Sequence, residues 1–438
     1  MTLATPITVI RGRFLDIQKT VSQAAEIADQ VRYLEDGVII TEQGKIRWFG
    51  TWNDAQDHLP INIEIQHYPE QLIIPGMIDT HIHFPQTEMV GAYGEQLLSW
   101  LNTYTFPTEI QFKDKAYASE IAKFFVNELL KNGTTTALVF CTVHPESVDA
   151  LFEAAAQHQM RLIAGKVMMD RHAPEALCDS ADSSYDDSKA LIEKWHGQGR
   201  ALYAITPRFA PTSTPEQLER AGQLKAEYPD VYVHTHLSEN KDEIAWVKDL
   251  FPAQKGYLDV YHHYGLTGQR SVFAHCVHLE DAEWQCMHET DSAIAFCPTS
   301  NLFLGSGLFP LNKTWQQQVK VGLGTDVGAG TSFSLLQTVN EAYKVQQLQG
   351  DKLSAYESLY HATLGGAKAL DLDDKLGNFN VGKEADFVVL NIKPTALQQL
   401  RQSRSKSLED SLFALFTMGD DRNVEATYIY GQKAYSQS

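Results

Sequence analysis

The chain has 438 residues, of which 43% are hydrophobic and 10% aromatic, so it can bury a large core and is not expected to be disordered. This length suits one large α/β barrel or about two to three ordinary domains. Its formal net charge of -19 argues against a nucleic-acid partner, because phosphate binding requires clustered Lys and Arg, but it places no restriction on a small neutral substrate.

The sequence indicates neither membrane insertion nor secretion. No apolar run approaches the ~18 residues of a membrane span, and the start, "MTLATPITVIRGRFLDI", lacks a basic segment followed by an uninterrupted apolar stretch. The cysteines are odd in number and form no CxxC pair, which fits reduced, buried thiols better than a disulfide framework. We therefore predict a cytoplasmic protein with five unpaired thiols: Cys141, Cys178, Cys276, Cys286 and Cys297.

The predicted elements change character near residue 75. Residues 1–70 hold short β-rich stretches such as "TPITVIRGRFLD" and "GVIITEQGKIRWFG", without a long helical pattern. From about residue 75 to 330, β-rich runs alternate with charged helical segments. The runs are "LIIPGMIDTHIH", "TTTALVFCT", "RLIAGKVMMD", "ALYAITPRF", "VYVHTHLSE", "SVFAHCVHL", "SAIAFCPTS" and "VKVGLGTD".

These alternations predict an α/β fold, a parallel (β/α)8 TIM-like barrel with its helices outside. A doubly wound open sheet is the alternative, because strand count alone does not exclude it. One helix has clear start signals in "STPEQLERAGQLKAEY". There Thr214 can cap, Pro215 suits the first turn, and Gln217 would complete a capping box.

The C-terminal segment returns to the pattern of the N-terminal one, with "KEADFVVLNI" and "VEATYIYGQKAYS" as its β-rich stretches. Two all-β ends that flank a barrel can pair with each other and bring the termini together. We therefore expect a barrel over residues 71–375 and a small β-sandwich domain built from residues 1–70 and 376–438.

Potential metal ligands stand at the C-terminal ends of the predicted strands, where the active sites of such barrels lie. His81 and His83 in "DTHIHFPQ" would share one face of a strand about 6.6 Å apart, and Zn–N bonds of about 2.0–2.1 Å let both reach one ion. Histidines often pack in cores and an Asp before glycines often forms a turn, so each residue alone is a weak signal. Together they predict a metal site, to which other strand ends contribute His234, His236, Glu239, His275 and Asp326.

Several of these segments resemble a known family. "PGMIDTHIH", "HTHLSE", "AHCVHL" and "GLGTD" resemble the amidohydrolase superfamily of metal-dependent deaminases and hydrolases, and the similarity covers the whole chain. The blocks "GEQLLSWLNTYTFPTE" (94–109), "ITPRFAPTST", "FCPTSNLFLGSGLF" and "GTDVGAGTSFS" are similar to those of guanine deaminases. The resemblance implies a zinc-dependent homodimer that acts on guanine.

The resemblance also implies one Zn²⁺ per chain, bound by His81, His83, His236 and Asp326. Glu239, three residues after His236, would move protons, His275 would orient the attacking water, and Asp326 would be a second proton carrier. His234 faces the same way as His236 in a strand, so its exclusion from the metal rests on the resemblance alone. We expect His234 to pack behind the ligands.

Substrate contacts are expected from the end of the fourth strand and from the loop after the first. Superfamily members with two metals bridge them by a carboxylated lysine at the fourth strand, where this chain has Arg208, which cannot lose its proton. Arg208 can instead donate to a carbonyl oxygen such as O6 of guanine, Gln86 can meet the purine edge, and Phe209 can stack on the ring. The alternatives are a surface salt bridge for Arg208 and core packing for Phe209.

The resemblance thus implies hydrolytic deamination of guanine to xanthine and ammonia by a zinc-activated water, with Glu239 as the proton shuttle. His236, Glu239 and Asp326 would also contact the substrate. Two alternatives stay open: a deaminase of another purine, pterin or triazine in the same superfamily, and a non-catalytic, barrel-shaped interaction protein. The HxE…PCxxC signature of nucleic-acid deaminases is absent.

Overall fold

The structure is a computed structural model that describes residues 7–93 and 97–437. Gly94, Glu95 and Gln96, the first residues of the block over 94–109, lie outside the described residues. The strands, in chain order, are β1 (Ile7–Ile17), β2 (Val31–Glu42), β3 (Lys45–Thr51), β4 (Ile65–Pro75), β5 (Met77–His83), β6 (Thr134–Phe140), β7 (Arg161–Gly165), β8 (Val167–Met168), β9 (Leu202–Pro207), β10 (Tyr232–Leu237), β11 (Ser271–His275), β12 (Ala293–Phe296), β13 (Lys320–Leu323), β14 (Phe387–Leu390), β15 (Val424–Ile429) and β16 (Gln432–Ser436).

The α-helices vary from single turns to the 17 residues of α4. In chain order they are α1 (Trp52–Ala55), α2 (Leu97–Trp100), α3 (Phe106–Glu109), α4 (Lys115–Lys131), α5 (Pro145–Gln157), α6 (Ala181–Trp195), α7 (Pro215–Glu227), α8 (Lys241–Leu250), α9 (Tyr257–His263), α10 (Asp281–Glu289), α11 (Pro298–Phe303), α12 (Leu311–Gln317), α13 (Leu335–Leu348), α14 (Ala355–Ala362), α15 (Leu364–Ala369), α16 (Ala396–Gln402) and α17 (Leu408–Met418). Among the described helices, none is both long enough and apolar enough to cross a bilayer.

The barrel is built from parallel strands that lie side by side in chain order: β5, β6, β7, β9, β10, β11, β12 and β13. Each of the eight predicted runs contains one of them, so the (β/α)8 prediction is confirmed. Hydrogen bonds near the first and last strands nearly close the ring: Thr80 Oγ1 donates to the Leu323 carbonyl and the Asp326 N–H to the His81 carbonyl, both at 2.9 Å. This closure excludes an open doubly wound sheet, and it brings Asp326 beside the end of β5.

Both ends of the chain join one mixed sheet, in the order β16-β15-β14-β4-β1-β2-β3. Strands β1 and β4 are parallel and the other neighbours antiparallel. The rings of Phe387 in β14 and Tyr428 in β15 stack with centroids 4.5 Å apart in its core. The prediction that both ends form a separate β-structure is therefore confirmed, as one mixed sheet where a small sandwich was expected.

Two details of the ends differ from the predictions. The run "LIIPGMIDTHIH" is divided at Gly76, because β4 extends to Pro75 within the small sheet before β5 enters the barrel. The C-terminal segment is not all β: it contains α16 and α17, and the α17 ring of Phe413 packs edge-on against Tyr343 of the barrel helix α13 at 4.9 Å. The division at 70/71 and 375/376 stays a prediction.

A buried ion-pair network joins the barrel to the small sheet. Arg200 donates to Asp386 Oδ1 at 3.1 Å and to Glu384 Oε2 at 2.5 Å, and Arg161 donates to the same Glu384 oxygen at 3.0 Å. The four side chains are between 4% and 11% exposed. Since each charge is compensated, the network fixes how the two units meet.

The start of α7 confirms part of its predicted signals. Thr214 accepts from the Gln217 N–H at 3.2 Å and Pro215 occupies the first helical position. The predicted capping box is wrong, because the Gln217 side chain is buried and donates to Ser184 Oγ at 3.2 Å. The Thr214 N–H is satisfied by Asp170 Oδ1 at 2.7 Å, a residue 44 positions away, instead of by the helix itself.

Candidate metal centre and active-site cavity

Three imidazoles and one carboxylate converge at the C-terminal end of the barrel. His83 Nε2 lies 3.2 Å from both His81 Nε2 and His236 Nε2. Asp326 Oδ1 lies 3.1 Å from His81 Nε2 and 3.3 Å from His83 Nε2. Burial lowers the pKa of His83 to about 3, which keeps this imidazole neutral with a free lone pair. Neutral imidazoles and a carboxylate aimed at one point form a donor set that fits a divalent metal ion such as zinc.

The outer nitrogens of these imidazoles are held by other groups. His236 Nδ1 donates to the Arg208 carbonyl at 2.7 Å, and His81 Nδ1 lies 2.8 Å from His234 Nε2. A hydrogen bond at one ring nitrogen leaves the other nitrogen free to bind a metal and sets the orientation of the ring. His234 therefore lies behind His81, on the side away from the converging atoms, as expected.

The loop that carries Asp326 is fixed by Asp79, a residue that sequence reasoning missed. The fully buried Asp79 Oδ1 accepts from the His81 N–H at 3.2 Å and from the Thr325 N–H at 3.1 Å. Gly324 permits this close approach, because a Cβ there would lie 2.9 Å from the His81 Cβ. The signal was present in "DTHIH", where Asp79 precedes His81 by two positions and so shares its face.

Two site residues have left-handed backbones, which are uncommon for residues other than glycine. His275 has φ of 73° and Asp326 has φ of 51°. Such conformations persist where surrounding contacts fix them, and they cluster at functional sites. They direct both side chains toward the same point, so that Asp326 Oδ2 is 3.8 Å from His275 Nε2.

Glu239 and His275 form a candidate pair for proton transfer. Glu239 Oε1 accepts from Ser306 Oγ at 2.9 Å, and Oε2 lies 3.5 Å from His275 Nε2. His275 Nδ1 lies 2.8 Å from Asn301 Oδ1, which orients the ring. Burial, and the negative charge of Asp326, raise the pKa of Glu239 to about 8. A carboxyl group with such a pKa can both accept and donate a proton near neutral pH.

A cavity opens onto these groups. Its walls include every residue predicted to contact substrate: Gln86, Arg208, Phe209, His236, Glu239 and Asp326. Trp100, Leu101, Glu243 and Leu304 also line it, although sequence reasoning gave them no role. Trp100 and Leu101 belong to the "SWLNTYTFPTE" part of the block over 94–109. The resemblance of that block to guanine deaminases therefore did point to residues of the cavity wall.

Arg208 forms a buried ion pair and not a surface salt bridge. It is 2% exposed, and its Nη1 donates to both oxygens of the fully buried Glu109, at 3.0 and 2.8 Å. Gln86 also donates to Glu109 Oε1 at 3.2 Å. Glu109 thus holds two of the predicted substrate contacts, and sequence reasoning missed it. Phe209 is 4% exposed, and its ring packs edge-on against that of Trp246 with centroids 6.2 Å apart. Phe209 also lines the cavity, so the same ring packs in the protein and faces the space for a ligand.

Comparison with known proteins gives consistent matches over the whole chain. The amidohydrolase family profile matches residues 72–434. The guanine deaminase of Escherichia coli (strain K12) is 62% identical over 432 residues, which cover 99% of this chain and 98% of that protein. A solved structure of E. coli guanine deaminase has a TM-score of 0.96 at 60% identity, covering 99% of this chain and 100% of that one. Guanine deaminase from C. acetobutylicum, solved with guanine bound in the active site, has a TM-score of 0.88 at 30% identity, covering 98% and 100%.

Proposed function

The chain belongs to the amidohydrolase family, together with the guanine deaminases, and from this premise we propose that it hydrolyses guanine to xanthine and ammonia. The observation that carries the proposal is the cavity in which Arg208, Gln86 and Glu239 stand beside the His/Asp cluster. A neighbouring structure at 30% identity holds guanine in its active site, which supports the same substrate here.

We propose that one zinc ion per chain is held by the Nε2 atoms of the three histidines and by the carboxylate: His81, His83, His236 and Asp326. When bound, zinc supplies a Lewis acid that makes water nucleophilic at neutral pH. The hydrogen bonds to the outer nitrogens of His81 and His236 support this assignment, because they leave both Nε2 lone pairs for the ion.

Glu239 would take a proton from the attacking water and pass it to the ring nitrogen beside C2 of guanine. Its raised pKa supports both halves of that transfer. His275, 3.5 Å from Glu239 and 3.8 Å from Asp326, would orient the water and link the two carboxylates. Asp326 would then help to protonate the departing amine, a step that matters because an unprotonated amine leaves poorly.

Arg208 would recognise O6 of guanine. Among the described contacts only its Nη1 is used by Glu109, so the other N–H groups of the guanidinium remain for a ligand. Gln86 would meet the purine edge and Phe209 would cover the ring face. Adenine carries an amino group in place of O6, so Arg208 would face a donor and adenine should be a poor substrate.

We also propose a cytoplasmic homodimer, as the family resemblance implies. The five free cysteines are compatible with a reducing compartment. Light scattering of the purified protein tests the assembly, and a monomer would reject the homodimer.

The activity is tested by ultraviolet monitoring of guanine, adenine, cytosine and 8-oxoguanine with the zinc-loaded protein. We expect loss of guanine with formation of equimolar xanthine and ammonia, and little change of adenine or cytosine. Turnover of adenine at a rate comparable to that of guanine would contradict the role of Arg208, and no turnover of guanine would reject the function.

A further inference from the structure

A second cavity lies at the opposite end of the barrel from the metal centre. It has a volume of about 410 Å³ and lies where β13 begins, near the loop between β1 and β2. Lys320 is the first residue of β13, whereas Asp326 follows its last residue. The cavity is therefore separate from the catalytic one, and no residue lines both.

The charged side chains of this cavity are mostly positive, although the protein as a whole is acidic. Two lysines, Lys320 and Lys368, line it, and the only carboxylate in its wall is Asp291. Lys320 pairs with Asp291 at 3.0 Å, and its side chain is only 10% exposed while that of Asp291 is 61% exposed. The lining thus carries one more positive than negative charge, although the chain as a whole carries -19.

Lys368 is the lysine of this cavity that forms no direct ion pair among the described residues. It is half-buried, and its Nζ donates to the Val21 carbonyl at 3.3 Å. No carboxylate of the described residues lies within ion-pair distance of that Nζ. Burial lowers the pKa of Lys368; the negative charges of Asp373 and Asp291 act in the opposite direction, and the positive charge of Lys320 lowers the pKa further. An ammonium group that is partly desolvated and lacks a counter-ion is costly unless an anion accompanies it.

The remaining wall combines hydroxyl groups and rings. Thr20 contributes a hydroxyl group that can donate to an oxyanion, and Trp315 contributes a half-buried indole. The other two hydroxyl groups already donate within the protein, Ser22 Oγ to Glu26 Oε2 at 3.2 Å and Thr314 Oγ1 to the Leu311 carbonyl at 2.7 Å. His361 is 2% exposed, and neither of its ring nitrogens has a hydrogen-bond partner among the described residues. Its closest carboxylate oxygen is that of Glu357, 3.7 Å from Nε2.

We propose that this cavity, bounded by Lys320, Lys368 and Trp315, binds a phosphate-type oxyanion, either free phosphate or the phosphate group of a nucleotide. Two ammonium groups and the Thr20 hydroxyl donor match the charge and the acceptors of a phosphate. The volume exceeds what a single inorganic ion needs, and the indole offers a flat apolar surface to an attached ring. The proposal does not depend on the reaction at the other end of the barrel.

Isothermal titration of the zinc-loaded protein with inorganic phosphate, GMP and guanosine tests the site. We expect phosphate and GMP to bind and Lys368→Met to weaken both about tenfold or more, since a charged hydrogen bond is lost. Lys352→Met, at an exposed lysine outside the cavity, is the matched control and should bind as the wild type does. Binding of GMP that is tighter than that of phosphate and is weakened by Lys368→Met would identify a nucleotide as the ligand, and GMP binding equal to or weaker than that of phosphate would identify free phosphate. Guanosine, which lacks the phosphate, reports binding at the catalytic cavity and should bind Lys368→Met as it binds the wild type.

Asp291→Asn tests whether removing a negative charge strengthens the binding of phosphate. It removes the one carboxylate of the wall, and Asn tolerates the left-handed backbone found there, with φ of 58°. We expect tighter phosphate binding by this variant. The proposal is overturned if no anion binds the wild type, or if Lys368→Met binds as tightly as the Lys352→Met control. Should Lys368→Met fail to fold, unchanged or weaker binding by Asp291→Asn overturns it.

Discussion

The substitution Glu239→Gln distinguishes proton transfer from architecture. Gln has the same size as Glu, and its carbonyl oxygen can still accept from Ser306 Oγ, which lies 2.9 Å from Glu239 Oε1. The amide cannot take up and return a proton at neutral pH. A positioned general acid–base contributes ~10²–10⁴-fold, which corresponds to about 2.7–5.5 kcal/mol in the activation barrier. Because one residue is proposed to serve several transfers, we expect kcat to fall by ~10³-fold or more.

The assay compares kcat, guanine binding and zinc content for the same preparations. Zinc content should stay near that of the wild type, because Glu239 is not among the four converging donors, and guanine should still bind. Asp242→Asn, at an exposed carboxylate in the first turn of α8, is the control and should retain full activity. Retention of more than about a tenth of wild-type kcat by Glu239→Gln would refute the assigned role, and the proton route would then run through His275 and Asp326.

Four further outcomes are expected. His236→Gln should lose zinc and activity together, and elemental analysis of the wild type should find one zinc per chain; two essential metals would contradict the single site. Arg208→Ala should lower kcat/KM for guanine at least ~10-fold, since a charged hydrogen bond of about 1.5–3 kcal/mol is lost, and an unchanged value would exclude Arg208 from substrate recognition. Arg200→Ala should lower the free energy of unfolding, measured by urea titration, by about 3–5 kcal/mol, because Asp386 would stay buried without a cation. Arg220→Ala on the surface should lower it by only about 0–1 kcal/mol, and equal losses would argue against the network.

Local patterns in the sequence were sufficient for the barrel and for placing candidate donors at one end of it, whereas the choice among those donors came from the family resemblance. Alternation with a period of two places His81 and His83 on one face of β5, and a strand end directs each donor toward the same end of a parallel barrel. These are short-range properties of the backbone, so each can be inferred from a few neighbouring residues. The start of α7 at Thr214 and Pro215 was predictable for the same reason.

Only the tertiary structure determined which distant groups meet. Glu109 holds Arg208 across 99 positions, and the β1–β2 loop approaches Lys368 across 347. Gln217 illustrates the limit: its local pattern predicted a capping box, but a buried partner on another helix binds its side chain instead. Such contacts depend on how the loops pack over the barrel, and this packing cannot be inferred from a few neighbouring residues of the sequence. The placement of the candidate metal donors at one end of the barrel follows from local strand geometry, whereas their supporting charges follow from packing alone.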